Sequence, residues 1–416
     1  MENLKEIEAR AYAGDANAQY HLAAMLDRSG DKAAANEWNE KAAAAGHPGA
    51  MYTLACAMLS VPTADMRVDE AVALPKRASD AGGAAAKRQL AVLTALGLGV
   101  KQDWAAAVAL LTEAAEIGHP AAMRELAMLG ECVSGKCGAG DDALLAAARK
   151  GEWVALCYAL RRGLLPAAEA SAAKARMQGV GFFAFDPQTD QAQKTAPVDL
   201  PGLAALSWPL SSSEAGREEL LQTPGVYRVN GLLSRDECDY LICAAAPLLT
   251  PSLVVDPKMG KADHAQYRTS DGALFGLIDL DLVLIALYER LARAAGVAWA
   301  NCELIGVLRY RPGQEYKPHH DYLPEDDNDY SEVKRSGQRA RTLLVSLNDS
   351  YEGGATVFPR LDLEFRGGVG DALVFANTDG DEKPYPETLH AGAPVRSGEK
   401  WLLSLWCRSR RFWFWD

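Results

Sequence analysis

No apolar run in this 416-residue chain reaches the roughly 18–20 residues that a membrane-crossing helix requires, so helical membrane spans are excluded. Basic charge is also scarce. The 43 Lys and Arg against 55 Asp and Glu leave a net charge of −12 and a pI near 5.2. Neutralising nucleic-acid phosphates or an anionic bilayer needs clustered cations, and RSRR at 408–411, the one such cluster, reads as a solvated chain end. The eight cysteines form no framework. Several sit in apolar runs as small hydrophobes, and the Cys132–Cys137 spacing has no second pair beside it to complete a zinc site. The first residues, MENLKEIEARAYAG, are charged and helix-forming, unlike a signal or transit peptide. The expectation is a cytoplasmic protein with reduced thiols that binds neither nucleic acid nor membrane.

With 49% apolar and 24% charged residues, the chain has a globular profile and the length of about two to three domains. Its first part repeats a phrase: GDANAQYHLAAML from Gly14, GHPGAMYTLACAML from Gly46, GGAAAKRQLAVL from Gly82, GHPAAMRELAML from Gly118, and a fainter GEWVALCYAL from Gly151. Intervals of 32 to 36 residues between these glycines are the period of a helix-turn-helix solenoid. Pairs such as Ala50 and Leu54, Ala86 and Leu90, and Ala122 and Leu126 fall on one helical face, and each glycine is placed to end the preceding helix at positive φ. The repeats resemble the Sel-like variety of tetratricopeptide repeat, whose AAxxGHPxAxxxLAxML pattern is nearly whole at 43–59 and 114–129. The expected domain is an all-α solenoid over 1–180. Such an array either binds a protein on its concave face or packs against the rest of the chain.

Residues 181–222, rich in Pro, Ser, Gln and Asp, read as a linker, with Phe182, Phe183, Phe185 and Trp208 as its apolar exceptions. From 223 to 416 the texture changes to two helical runs, RDECDYLICAAAPLL and LDLVLIALYERLARAAG, followed by seven or eight short β-rich segments. That order predicts a jelly-roll (double-stranded β-helix) domain with flanking helices. Within it, strand alternation in EYKPHHDYL sends His319 and Asp321 to one face and His320 to the other. His390 is the only histidine downstream. Two imidazoles and a carboxylate leave half of an octahedral shell open, the facial triad of non-haem Fe(II) oxygenases. Zinc hydrolysis is the alternative, but it leaves Lys400 unexplained. Lys400, Leu402, Ser404 and Trp406 share a strand face, where a buried ammonium needs an anion such as a dicarboxylate cosubstrate. The acidic run PEDDNDYSE at 324–332 reads as a solvated loop or a lid beside the site.

The phrases RTSDG (268–272), ELIGVLRYRPGQEYKPHHDY (303–322), GQRARTLLVSLND (337–349), EGGATVFP (352–359), GDALVFAN (370–377) and LHAGAPVRSGEKWLLSLW (389–406) resemble, in order, the prolyl 4-hydroxylase branch of the Fe(II)/2-oxoglutarate dioxygenases. The resemblance implies His319, Asp321 and His390 as iron ligands and Lys400 as partner of the distal 2-oxoglutarate carboxylate. It further implies Tyr310 and Thr342 in the cosubstrate pocket, and Tyr316, Arg339 and Trp406 near a substrate proline. Where the family usually has an aromatic residue before LN, this chain has Ser346, which shares a strand face with Thr342 and is expected to look into the pocket. The implied cofactors are Fe(II), 2-oxoglutarate as cosubstrate and, as a further candidate, ascorbate. The implied reaction is peptidyl-proline hydroxylation with O2, yielding succinate and CO2, on a protein substrate recruited by the repeats. Hydroxylation of a free small molecule, or an adaptor with a sensing oxygenase domain, are the alternatives.

Overall fold

The computed structural model describes residues 4–60, 68–134, 138, 140–179, 216–252, 254–255, 262–263, 267–323 and 331–413. The side chains of Cys132 and Cys137, the apolar residues Phe182, Phe183, Phe185 and Trp208, and most of the acidic run lie outside the described residues, as does the expected linker up to 215.

The N-terminal part comprises α1 (Leu4–Tyr12), α2 (Ala16–Ser29), α3 (Lys32–Ala44), α4 (Pro48–Ser60), α5 (Val68–Asp80), α6 (Ala84–Leu96), α7 (Trp104–Glu116), α8 (Pro120–Ser134), α9 (Asp141–Arg149), α10 (Trp153–Arg161) and α11 (Ala167–Gly179). The repeating glycines close helices as expected: Gly14, Gly46, Gly82, Gly118 and Gly151 have φ between 84° and 94°, a conformation that a side chain resists. The next helix begins two residues later in each case. Helices α2, α4, α6, α8 and α10 are therefore equivalent. They form one row of the solenoid, with Ala50, Ala86 and Ala122 buried at its helix contacts. No helix among the described residues is long and apolar enough to cross a membrane.

Beside two short two-stranded ribbons, which pair Tyr351–Gly353 with Val395–Gly398 and Val254–Val255 with Ala262–Asp263, the C-terminal part has two main sheets. Their strands are β1 (Arg217–Leu221), β2 (Val226–Val229), β3 (Thr250–Pro251), β4 (Asp271–Leu274), β5 (Gly306–Tyr310), β6 (Tyr316–His319), β7 (Arg339–Ser346), β8 (Thr356–Phe358), β9 (Leu363–Phe365), β10 (Ala372–Ala376), β11 (His390–Gly392) and β12 (Lys400–Arg408). The larger sheet runs β1-β2-β10-β7-β12-β5-β4-β3 and the smaller β9-β8-β11-β6. Both are antiparallel, in the jelly-roll arrangement expected. Strand β1 lies in the segment read as linker, but it pairs with β2 and is part of the sheet.

The central strands read as almost unbroken apolar runs because both of their faces are buried. Leu343, Val345, Leu403 and Leu405 join a core with the helices α12 (Arg235–Ala245) and α13 (Leu282–Ala294). Leu308, Tyr310, Leu344, Leu373, Phe375 and Leu402, on the opposite face, form a second core with Phe358 and Phe365 of the smaller sheet.

The two parts are joined by more than chain connectivity. One buried apolar cluster runs from Leu59, through α6, α8 and α10, into α12 and α13. Within it lies a polar clasp. Arg124 of α8 donates to Asp281 Oδ2 at 2.7 Å and to the Tyr240 hydroxyl, and that hydroxyl donates to Asp281. Asp281 also caps α13 by accepting from Leu284 N at 2.8 Å, while Glu125 of α8 accepts from Leu282 N at 3.1 Å. Amides of the first turn of α13, which a helix cannot satisfy internally, are thus taken partly by the repeats. Arg88 of α6 pairs with Glu125 and reaches Leu280 O at 3.3 Å, and Trp153 of α10 donates to Cys243 O at 2.8 Å. Of the two uses anticipated for the array, packing against the rest of the chain holds for α6, α8 and α10.

Arg124 and Asp281 are 4% and 3% exposed, so removing one partner strands the other in the interior. Arg124→Ala is expected to destabilise the full chain by about 3–5 kcal/mol, read as a lower denaturant midpoint with tyrosine and tryptophan fluorescence as the probe.

Candidate metal centre

Strands β6 and β11 place His319 directly opposite His390. β6 ends at His319, and the chain bends so that Asp321 turns inward between the two imidazoles. One ligand atom from each of the three lies within 4.8 Å of the others. No other cluster of three such donors occurs among the described residues. His319 Nδ1 bonds Lys317 O at 2.8 Å and His390 Nδ1 bonds Thr388 O at 2.9 Å. Each Nδ1 therefore carries the proton. The Nε2 lone pairs both face the carboxylate, at 3.6 Å from Asp321 Oδ1 and Oδ2. His320 points elsewhere, as alternation requires, with Nε2 3.1 Å from Pro386 O.

Burial and the neighbouring His390 push the His319 pKa down to about 3, so it is a neutral imidazole at pH 7. Burial alone would raise Asp321, but the two imidazoles and the Thr342 hydroxyl outweigh it and hold the carboxyl below its ordinary value. Two imidazole nitrogens and one carboxylate, converging from one side, suit a borderline divalent ion such as Fe(II) and leave the far side of its shell open.

The cavity beyond the triad is lined by Arg268, Leu308, Tyr310, Tyr316, Leu344, Lys400, Leu402, Ser404 and Trp406, among others. The face Lys400–Leu402–Ser404–Trp406 read from β12 thus looks inward, as expected. Lys400 is 4% exposed and donates to Gly354 O at 2.6 Å. No carboxylate among the described residues pairs with it, and burial pushes its pKa down to about 8. Tyr310 lies 5.6 Å from the ammonium. Tyr316 stacks on His319 at a ring separation of 3.5 Å, and burial raises its phenol to about 12, so it remains protonated.

Three of the expected site residues stand outside the cavity lining. Thr342 does not line the cavity: it sits behind Asp321, donating to Oδ2 at 2.6 Å while Asn377 Nδ2 donates to its hydroxyl at 2.9 Å. Its face was read correctly, but its depth was not. Ser346 shares that face yet is buried beside the Gly367 turn, away from the cavity lining. Arg339 is held by Glu303 through bonds of 2.7 and 2.9 Å and lies 3.6 Å from the Trp406 ring, so it supports a cavity wall rather than forming one. Trp406 does line the cavity, and its buried Nε1 has no acceptor among the described residues. Sequence reasoning gave no role to Arg268, Asn377 or Glu303. Arg268 stood in the quoted RTSDG phrase, and it lies 4.9 Å from the Tyr316 ring.

Residues 305–408 match the model of the 2OG-Fe(II) oxygenase superfamily. Prolyl 4-hydroxylase 1 of Arabidopsis thaliana is 38% identical over 202 residues, covering 45% of this chain and 70% of that protein. Probable prolyl 4-hydroxylase 3 of the same plant is 31% identical, covering 54% of this chain and 84% of its own length. Among solved structures, a Sel1 repeat protein from Oxalobacter formigenes aligns with 42% of this chain and 78% of its own, at 23% identity and a TM-score of 0.34.

Thr342→Val keeps the shape but removes the donor that fixes Asp321. Loss of such an outer partner typically weakens metal binding by about 10–100-fold, and titration with a divalent ion is expected to show a loss in that range.

Proposed function

The chain belongs to the prolyl 4-hydroxylase family of 2-oxoglutarate-dependent dioxygenases, and from that membership we propose that it hydroxylates proline residues within a protein or peptide. Enzymes of this family use Fe(II) and 2-oxoglutarate. The observation that carries the reading is the buried Lys400 ammonium, which faces the same cavity as the triad and has no carboxylate among the described residues to answer it. His319 Nε2, His390 Nε2 and Asp321 would hold the iron, and Lys400 would pair with the far carboxylate of 2-oxoglutarate, with Tyr310 beside it. Iron held there would supply the oxidative decarboxylation of 2-oxoglutarate by O2, one oxygen atom going into succinate as CO2 leaves and the other into a C–H bond.

The chain's own residues do the positioning. Thr342 and Asn377 hold Asp321 so that it presents a fixed oxygen. Leu308, Leu344 and Leu402 keep the interior apolar and dry. Tyr316 and Trp406 offer flat faces to a proline ring, and the unanswered Trp406 Nε1–H offers a donor to a peptide carbonyl. Arg339 acts through Trp406, bracing it from behind.

The direct test is mass spectrometry of a short proline peptide incubated with Fe(II), 2-oxoglutarate and O2. One added oxygen on proline supports the reading, whereas hydroxylation of free proline alone would redirect it to small-molecule chemistry. His319→Ala or Asp321→Ala is expected to abolish turnover, while His320→Ala retains iron. Lys400→Ala is expected to raise the 2-oxoglutarate requirement by several hundredfold or more, as about 3–5 kcal/mol for a broken buried pair implies, with iron affinity little changed.

A further inference from the structure

The backbone ladder between β6 and β11 ends at the pair His319 and His390, and among the described residues no backbone bond joins the two chains beyond it. Past that point a side chain takes over. His320, which alternation turns away from the triad, donates from Nε2 to Pro386 O at 3.1 Å. Arg360 Nη1, in the connection between β8 and β9, donates to the same oxygen at 2.8 Å, and Leu389 N is a third donor at 3.3 Å. This crowded carbonyl belongs to the first residue of a 3-10 turn, Pro386–Thr388, that leads directly into β11. The last residue of the turn supplies Thr388 O, the acceptor for His390 Nδ1. The start of the turn is tied as well. Tyr385 N donates to Asn377 O at 2.8 Å, and Thr388 bonds back to Tyr385 O through its amide at 3.1 Å and its hydroxyl at 2.8 Å. The Tyr322 ring packs against that of His320 at 4.7 Å.

We propose that His320 is a positioning residue for the metal centre, with Arg360 as its partner: through Pro386 O they fix the turn whose Thr388 carbonyl orients the His390 imidazole. The inference rests on the reading of His319, Asp321 and His390 as the iron site and is independent of which substrate is hydroxylated. With Nδ1 bonded to a carbonyl, the direction of the Nε2 lone pair follows the place of that carbonyl. Thr388 O lies two residues from Pro386 O within one turn of 3-10 helix, so a displacement of Pro386 reaches His390 with little chain between to absorb it. His319 is held differently. Its Nδ1 bonds Lys317 O inside β6, where strand pairing keeps the carbonyl in place. Asp321 has its own support in Thr342 and Asn377. Of the two adjacent histidines, one is therefore a ligand and the other steadies the ligand that faces it. Because Arg360 shares the carbonyl, removing His320 alone loosens the turn without releasing it, in keeping with iron retained by His320→Ala.

The test uses the full chain loaded with Co(II), whose paramagnetism shifts the Nδ1–H protons of ligating histidines clear of the other proton NMR signals. The His390 signal is recognised by its contacts with Phe358 and Phe375, whose rings lie 5.4 and 4.8 Å away, and the His319 signal by Tyr316 at 3.5 Å. His320→Leu combined with Arg360→Met is expected to move the His390 signal and speed its exchange with solvent, and to leave the His319 signal in place. Co(II) affinity in the same variant is expected to fall about 10–100-fold, the scale for losing the outer support of a ligand, and by less than about tenfold for either change alone. His320→Gln, which keeps an N–H donor near the place of Nε2, is expected to preserve both signals. An unmoved His390 signal in the double variant, equal movement of both signals, or a His320→Gln spectrum as altered as that of His320→Leu would each overturn the proposal. Should the double variant fail to fold, His320→Leu alone decides on the same His390 signal. Absence of Co(II) binding by the unaltered chain would remove the iron-site reading and this inference with it, a result distinct from binding that ignores the two substitutions.

Discussion

Asp321 carries a charge into the interior of the C-terminal domain, where an unanswered carboxylate costs several kcal/mol. Most of what surrounds the cavity follows from that constraint. Strand β11 has to pair with β6 in the register that sets His390 against His319, and both Nδ1 atoms have to be tied to carbonyls so that Nε2 is left as a lone pair. Thr342 and Asn377 then fix the carboxylate from behind. Across the same cavity the opposite charge is buried on equally incomplete terms, since Lys400 has one carbonyl and, among the described residues, no anion. A cation at the triad and a carboxylate at Lys400 would satisfy both. A metal-chelating dicarboxylate supplies the second while binding the first, so one ligand pair completes two unfinished electrostatic sites.

The repeats reach the same cavity by continuous packing. Asp281 and Glu125 finish the first turn of α13 across the boundary between the two parts. From α13, Tyr288 donates to Cys302 O at 2.9 Å, and the adjacent Glu303 holds Arg339, which braces Trp406 at the cavity wall. This is physical contiguity, and energetic coupling along it is a separate quantity. It does make the C-terminal part dependent on its neighbour: with α6, α8 and α10 removed, α13 would lose the Glu125 acceptor at Leu282 N and Asp281 its cation. The repeats are a structural half of this molecule before they are anything else.

Local periodicity made much of this legible. Alternation in β12 located Lys400, Leu402, Ser404 and Trp406 on the cavity face, and alternation around His319 separated it from His320, because a strand's two faces are set by the backbone alone. Depth along a face was not legible. Thr342, Leu344 and Ser346 alternate correctly, yet only Leu344 lines the cavity, since Asp321 caps the first and the Gly367 turn covers the third. Partners distant in sequence were invisible for the same reason. Glu303 gives no local sign that it will hold Arg339, and Arg88 and Arg124 read as ordinary polar positions of a solenoid until Leu280, Tyr240 and Asp281 are seen against them.

That last case shows how a repeat array can vary one position to suit what lies against it. Each repeat in a solenoid contacts mainly its neighbours, so equivalent positions can carry different side chains without disturbing the stack. Here the position six residues after each repeating glycine is arginine at 88 and 124, where it must answer a buried carboxylate and the end of a helix, and half-buried tyrosine at 20 and 52, packed on its own repeats. Exchanging the two kinds would fail in both places: a tyrosine at 124 would leave Asp281 unpaired in the core, and an arginine at 20 would lose the stacking on His47 over Gly49. The clasp between the two parts is thus set by one side chain per repeat, on a backbone that the repeats share.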